Sequence, residues 1–445
     1  MPNSLQIALK NDSDSAEVYA YITGLALQHG GKRCFLKPDG KSLYFPVNPP
    51  RIGTPLPEDV AIPLGGPGAG NSRPVTVTIP QMAGGRIWVS RGPKKLKFLL
   101  NPGPALVEPS VLNPTDPNAG VDFGFAEFTL NGAQLYANIS YVDFVPRLPI
   151  GLELRCGASG STVQRVAGMR PDGVDRLAEG LREQARHDGW PWDKLAVVER
   201  GGRVLRVLSA THGGAVGANF GGYYEPYVEE VMRAYGNGRK LRIDTQAGPG
   251  VVSGHATSKG EFVIGGEAFG RPSTADILSC NTGPFATGPS PLRNAIIPRL
   301  AAAFVRTALL DAELQPSAPD TFYRRDPTNH YARLVHECNV DGKGYAFAYD
   351  DVQPNGGEDQ SGKVNAGDPV LLTVVVGGMH AGEERGGDQR ARPQQEQKVL
   401  KQQTPAPAPA PAPAPSPAAE TPRGQPPKEG GLRNKLQTLK SRFLL

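Results

Sequence analysis

The chain has 445 residues, room for two or three domains, and its 39% hydrophobic and 20% charged residues are ordinary for a globular protein. No stretch of eighteen apolar residues occurs, which excludes a membrane-spanning helix. The net charge of +5 arises in residues 379–445, which hold eleven Lys and Arg against six Asp and Glu; the body of the chain is neutral, which argues against a nucleic-acid partner.

With 55 Gly and 44 Pro, the composition suits a turn-rich β architecture with a low-complexity tail. The opening MPNSLQIALKNDSDSAEVYAYITG has neither a basic n-region nor an apolar h-region, so it does not read as a secretory signal. It begins instead with a strand, Leu5 to Leu9. Short strands follow at Val18–Gly24, Ser42–Phe45, Val75–Ile79, Gly85–Val89 and Lys97–Leu100. Turn signals separate them, among them Pro49-Pro50, Gly65-Gly66-Pro67 and Pro102-Gly103, giving a sandwich or barrel pattern.

Residues 157 to about 340 change character. Gly173–Gly189 is an amphipathic helix with Val174, Leu177, Leu181 and Ala185 on one side. Strands lie within Trp192–Leu208 and at Leu241–Asp244 and Phe262–Ile264, and Pro226–Tyr235 is a second helix. A long apolar helix is expected within Pro291–Leu314, another helix at Asn329–Glu337, and strands at Gly344–Tyr349 and Val370–Val376. The order β, mixed α/β, then β predicts an α+β protein. An α/β insertion (156–340) interrupts a β part made of 1–155 and 341–378. From about Ala381 the composition cannot form a core, and the Pro-Ala repeat Pro405–Pro417 predicts a disordered, extended spacer (379–431). It leads to a short basic amphipathic helix (432–445) with Leu432, Leu436, Leu439 and Phe443 at helical spacing.

The segment VDFGFAEFTLNGAQLYANISYVDFVPRLPIGL, Val121–Leu152, carries the most chemistry. Ala126 to Asn131 alternates strictly, which places Ala126, Phe128 and Leu130 toward a core and Glu127, Thr129 and Asn131 in a polar row. Asn131-Gly132 signals a two-residue hairpin, pairing Glu127 with Tyr136. A regular returning strand, Leu135–Val145, puts Tyr136, Asn138 and Ser140 on one face and Asp143 among the apolar residues of the other. A carboxylate in a strand must face water, find a partner or do chemistry. Two across a cleft suffice for glycoside hydrolysis. In a flat hairpin, however, they would stand roughly 20 Å apart, against the about 6.5–9.5 Å that inversion requires. The second strand must then bend or bulge, or the turn lies elsewhere.

NISYVDFV followed by LPIGL (Asn138–Leu152), CNTGPFATGP (Cys280–Pro289) and HYARLVHECNVDGKGYAFAYDDVQPNGGEDQSG (His330–Gly362) occur in this order. Together they resemble glycoside hydrolase family 64, the laminaripentaose-producing endo-β-1,3-glucanases, over about residues 5–378. The resemblance implies a thaumatin-like β-sandwich or barrel, with the inserted α/β domain across a wide groove. It implies Glu127 as general acid and Asp143, sixteen positions on, as general base, acting by inversion on cell-wall or storage glucan. It further implies Thr129, Asn131, Tyr136 and Ser140 as substrate-binding residues; Tyr136 stands where a larger aromatic such as Trp is expected, and Ser140 where Thr is usual. No metal or organic cofactor is implied, and the expected molecule is a monomer.

Other residues are weighed beside these. Asp350-Asp351 either caps a turn or lines the groove and supports the catalytic strand. His212, in a Gly-rich loop, is either solvated or in contact with substrate. Trp190 and Trp192 are either core fillers or a sugar platform. Cys34, Cys156, Cys280 and Cys338 show no metal-ligand spacing, and four cysteines allow three pairings. Relatives are generally secreted, so the unsignalled start implies a longer precursor, an intracellular protein or another export route. The tail is either a tether to an anionic membrane or partner groove, or a weakly helical end. The competing functions are a non-hydrolytic glucan-binding protein on the same scaffold and a scaffold whose tail is the working part.

Overall fold

The computed structural model describes residues 3–65, 73–157 and 160–379; the spacer and basic helix expected beyond Met379 lie outside the described residues. Two large sheets dominate. One has five strands in the order Thr162–Val166, Ile150–Cys156, Pro369–Val376, Ser4–Asn11, Val75–Pro80, with only the Ser4–Asn11/Pro369–Val376 pair parallel. The other runs Lys363–Ala366, Leu135–Ile139, Asp122–Leu130, Met82–Arg91, Val18–Ala26, Lys32–Leu36, Leu43–Tyr44, with Ile62–Pro63 beside Val18–Ala26. Strands from both ends of the described chain therefore meet in the same sheets.

Period-two alternation decides what faces what. Leu5, Ile7 and Leu9 of the first sheet share one buried cluster with Ile22, Ile87, Ala126, Phe128 and Leu130 of the second. The inward set expected for Ala126–Leu130 is thus observed. On the second sheet's opposite face Tyr21, Phe35, Trp88, Phe123 and Phe125 form a separate aromatic cluster with Phe98, Phe144 and Leu208. Along Asp122–Leu130 that face is aromatic at Phe123 and Phe125 and becomes polar at Glu127 and Thr129.

Among the described residues three further sheets occur: Phe144–Pro146 with Val204–Leu208 and Ala196–Val198, a sheet of five shorter strands that includes Leu241–Asp244 and Val251–Ala256, and a three-stranded sheet at Thr54–Pro55, Leu99–Asn101 and Ala105–Val107. The helices are Gly173–Asp188, Glu225–Gly236, Thr274–Ser279, Pro291–Val305 and His330–Cys338. The first ends at left-handed Gly189. The last begins at Asn329, whose side chain accepts the Ala332 N–H. Trp192 is fully buried in the core, and half-buried Trp190 packs against it edge-on to Tyr223; neither lines the cavity described below. All four cysteines are free and buried.

Two expected elements outside the Asp122–Ile139 hairpin differ. The apolar helix stops at Val305 and not near Leu314, because Arg306 turns into a buried ion pair with Asp350 and Thr307 adopts φ +50°; Leu314–Gln315 is a short strand parallel to Leu241–Asp244. Gly344–Tyr349 is not a strand. Asp350 is fully buried and its carboxylate accepts the Ala346 N–H at 2.9 Å, curling the segment into a turn.

Next to the future site the strand Met82–Arg91 is bulged: Phe128 pairs with Gly85 but Leu130 with Met82, and Gly84 takes φ +53°. Gly85 lies under the Phe128 ring, where an added Cβ would stand 2.4 Å from Phe128 Cζ. Gly85→Ala should therefore cost about 1–3 kcal/mol of stability through overpacking. Chemical denaturation would measure it, and adding Phe128→Leu should recover part of the loss.

Candidate active site

The hairpin that carries both acids turns differently from its sequence signal. Asn131 Oδ1 accepts the backbone N–H groups of Ala133 (2.9 Å) and Gln134 (3.0 Å), and the loop spans Asn131–Gln134. This four-residue loop shifts the register by two, so Glu127 pairs with Asn138, and Tyr136 with Thr129. On its other side Glu127 pairs directly with Arg86.

Asp143 lies five residues beyond Asn138, and a straight strand would carry it roughly 17 Å away. The strand instead ends at Ile139. Ser140 bridges to Tyr345, the Tyr141 N–H donates to the Tyr345 carbonyl at 2.9 Å, and Tyr331 Oη donates to the Tyr141 carbonyl at 2.6 Å. The Tyr141 ring is buried against Gly344, where a Cβ would meet it at 2.9 Å. The chain bends at Val142 and Asp143 and enters a different sheet as Phe144–Pro146. Asp143 is therefore not on an apolar strand face. It sits at the junction of two sheets, with a side chain 36% exposed.

The result is one cavity of about 310 Å³. Glu127, Thr129, Asn131, Tyr136, Ser140 and Asp143 all line it, together with Arg86, Gln134 and Asn138. The other walls come from Thr211 and His212, from Leu278, Ser279 and Asn281, and from the turn bearing Tyr345, Tyr349 and Asp351. The Thr129 hydroxyl is buried with no hydrogen-bond partner among the described residues. Asn131 is less free than its position suggested, since its carbonyl oxygen already holds the loop. Lys363 Nζ lies 5.7 Å from the Tyr136 ring centroid.

The two carboxyls have different surroundings. Glu127 is only 12% exposed, and Arg86 contacts its Oε1 through Nη2 (3.0 Å) and Nε (3.2 Å). Arg86 also reaches Glu108 Oε2 through Nη1 at 2.6 Å, and its guanidinium stacks over Phe125 (4.6 Å) and Trp88 (5.3 Å). Burial pushes the Glu127 carboxyl above the usual carboxylate range, and the charges of Asp143 and Glu108 add to this; Arg86 opposes it without cancelling it. Asp143 has a different partner: His212 Nε2 stands 2.6 Å from its Oδ1. The arrangement can hold a proton on the buried acid while the more exposed one serves water.

Of the alternatives weighed for Asp350-Asp351, Asp350 organises the turn from inside and Asp351 reaches the cavity. His212 is 8% exposed and not a solvated loop residue. Arg86 and Glu108 escape sequence reading. The only trace is an Arg at the head of the apolar run in GGRIWVS, and its carboxylate partners lie 22 and 41 positions away. Among the described residues no group of three or more His, Cys, Asp and Glu gathers to hold a metal ion, and no helix is long and apolar enough to cross a membrane.

A cavity that pairs a buried carboxyl of raised proton affinity with a second, differently partnered one is the equipment of the glycoside hydrolases. The family profile of the beta-1,3-glucanases, glycoside hydrolase family 64, matches residues 3–376, and the chain belongs to that family. A glucan endo-1,3-beta-glucosidase of Cellulosimicrobium cellulans is 30% identical over 294 residues, covering 62% of this chain and 50% of the relative; the chain thus spans about half the length of the curated relatives it matches. A crystal structure of a laminaripentaose-producing beta-1,3-glucanase in complex with laminaritetraose is similar at a TM-score of 0.73 and 30% identity, covering 84% of this chain and 99% of that one. A beta-1,3-glucanase domain from Clostridium beijerinckii shares the fold at a TM-score of 0.63 and 21% identity, with 84% and 98% covered.

Because folded Glu127 binds its proton more tightly than the unfolded chain does, its contribution to stability is full below the unfolded value of about 4.3. It is lost as pH rises through the raised folded value. Arg86→Met removes the one opposing charge, so the Glu127 midpoint should move further upward. Carboxyl-carbon NMR titration of wild type and variant checks this, and a downward move would contradict the electrostatic assignment.

Proposed function

We propose that this protein hydrolyses β-1,3-glucan internally, with inversion, releasing short laminari-oligosaccharides. The observation that carries the reading is the convergence of Glu127 and Asp143 on one cavity despite their separation in an unbent hairpin. Glu127, whose hold on its proton burial strengthens, donates to the leaving glycosidic oxygen. Asp143 takes a proton from the water that attacks the anomeric carbon from the opposite face. No covalent intermediate forms, and each turnover exchanges one proton at each carboxyl.

The substrate contacts follow from the wall. The unpartnered Thr129 hydroxyl, the Asn131 amide nitrogen and Ser140 hydrogen-bond sugar hydroxyls, and Tyr136 offers a ring face to a pyranose. The laminaritetraose held by the 30%-identical structural relative supports a glucan ligand of this type. The neutral body of the chain is consistent with an uncharged polysaccharide.

The same reading extends to architecture. The two large sheets form the thaumatin-like β part, drawn from residues 1–155 and 341–378, and residues 156–340 form the inserted α/β domain across the groove. Strand pairing supports this division with one adjustment: Thr162–Val166 belongs to the first sheet, so the seam falls after it.

Digestion of linear β-1,3-glucan followed by NMR of the reducing ends tests the proposal. The α-anomer should appear first. Glu127→Gln and Asp143→Asn should each lower kcat by about 10²–10⁴-fold. Initial β-anomer would overturn inversion, and glucan binding without product would leave a non-hydrolytic binding protein.

A further inference from the structure

We propose that His212 is a positioning residue for the base: it fixes the plane of the Asp143 carboxylate and holds that group ionised. The inference rests on the reading of Asp143 as general base.

The geometry is specific. With Asp143 ionised, as a general base must be, its oxygen only accepts, so at 2.6 Å His212 Nε2 carries the hydrogen and donates it to Asp143 Oδ1. The imidazole is nearly buried while the carboxylate is 36% exposed, so the histidine is the fixed partner and the carboxylate the group it orients. His212 itself is held by backbone. The Ser209 N–H donates to the Asp143 carbonyl at 3.0 Å, and the His212 N–H donates to the Ser209 carbonyl at 2.9 Å. The histidine is thereby brought back over the residue that Ser209 grips. Thr211 Oγ1 donates to the Leu278 carbonyl at 2.7 Å, tying the same turn to the helix Thr274–Ser279 on the far wall.

This arrangement solves a problem peculiar to Asp143. It sits at a bend between two sheets, and a base must aim one oxygen at a water held in line with the anomeric carbon. A donor on Oδ1 fixes the plane of the group. It also favours the ionised form over the protonated one. Other groups share the field at Asp143: Glu127 and Arg86 from the large sheet, Tyr331 from the helix His330–Cys338, and Tyr345, Tyr349 and Asp351 from the opposing turn.

The test compares His212→Ala, His212→Gln and Asp143→Asn by steady-state kinetics on linear β-1,3-glucan across pH, with thermal unfolding as the check on folding. Gln places an amide N–H near the position of Nε2. In His212→Ala, kcat should fall on the order of 10- to 100-fold with KM little changed, and the acid limb of the kcat profile should move up by about one pH unit. His212→Gln should restore most of kcat and return the acid limb toward wild type. A loss confined to KM, or an acid limb unmoved in His212→Ala, would overturn the positioning role. If His212→Ala does not fold, a His212→Gln enzyme with the kcat deficit and displaced limb expected of the alanine variant overturns it instead. Asp143→Asn separates the two claims: an active Asp143→Asn enzyme sinks the base assignment, whereas an inactive one beside an unaffected His212→Ala sinks only the role of His212.

Discussion

The structure of the site depends on where the second strand of one hairpin stops. Glu127 and Asp143 are carried by neighbouring segments, and an unbroken ladder would hold them apart. The ladder is ended by substitution of partners, not by a proline or a glycine in the strand. After Ile139 the backbone of Tyr141 is taken up by Tyr345 on one side and by the Tyr331 hydroxyl on the other. Each polar group that would have extended the sheet is satisfied elsewhere, so the bend leaves no orphaned backbone at Tyr141. Gly344 permits the close approach, since any side chain there would collide with the Tyr141 ring.

That bend also produces the difference between the two carboxyls. Glu127 remains inside the ladder, flanked by Arg86 and Asn138 and backed by the aromatic face of Phe125 and Trp88. Asp143 has left the ladder and keeps a third of its side chain open. The Arg86 guanidinium is held above its ordinary value because Glu108, Glu127 and Asp143 together outweigh the cost of its burial. Divided between Glu108 and Glu127, its charge neutralises neither completely, and burial still decides the direction at Glu127.

What the sequence revealed followed the range of the interaction. The core face Ala126–Phe128–Leu130 was legible because period-two patterning is local. The helices Gly173–Asp188 and His330–Cys338 were legible for the same reason, with Gly189 and Asn329 marking their ends. The Asn131-Gly132 signal pointed to the right place but the wrong loop length, because the Asn131 side chain captured two downstream N–H groups and lengthened the turn. Bringing Glu127 near Asp143 demanded a bent second strand or a different turn, and both occur, but the cause of the bend was not legible. It lies in Tyr331 and Tyr345, some two hundred residues away. Arg86, Glu108 and the Asp143–His212 contact were hidden for the same reason.

The failed strand at Gly344–Tyr349 shows how far such a cause can reach. Its run of aromatic and small apolar residues suits a strand, and local propensity alone would extend it. Asp350 overrides this from the fully buried side: Arg306 Nη2 contacts Oδ1 at 3.1 Å, and His336 Nε2 lies 3.2 Å from Oδ2, where the Ala346 N–H also donates. Burial pushes this carboxyl upward, but His336, Arg306 and the Ala346 N–H outweigh it and hold it below the usual range. An ionised group so placed is tolerated only while all its partners stay. The same cluster ends the helix Pro291–Val305, curls the 344–351 segment and sets Tyr345 where it receives the Tyr141 N–H. The bend that brings Asp143 to Glu127 is thus fixed from behind by a buried ion pair that does not line the cavity, and the segment's departure from strand geometry is what makes the site possible.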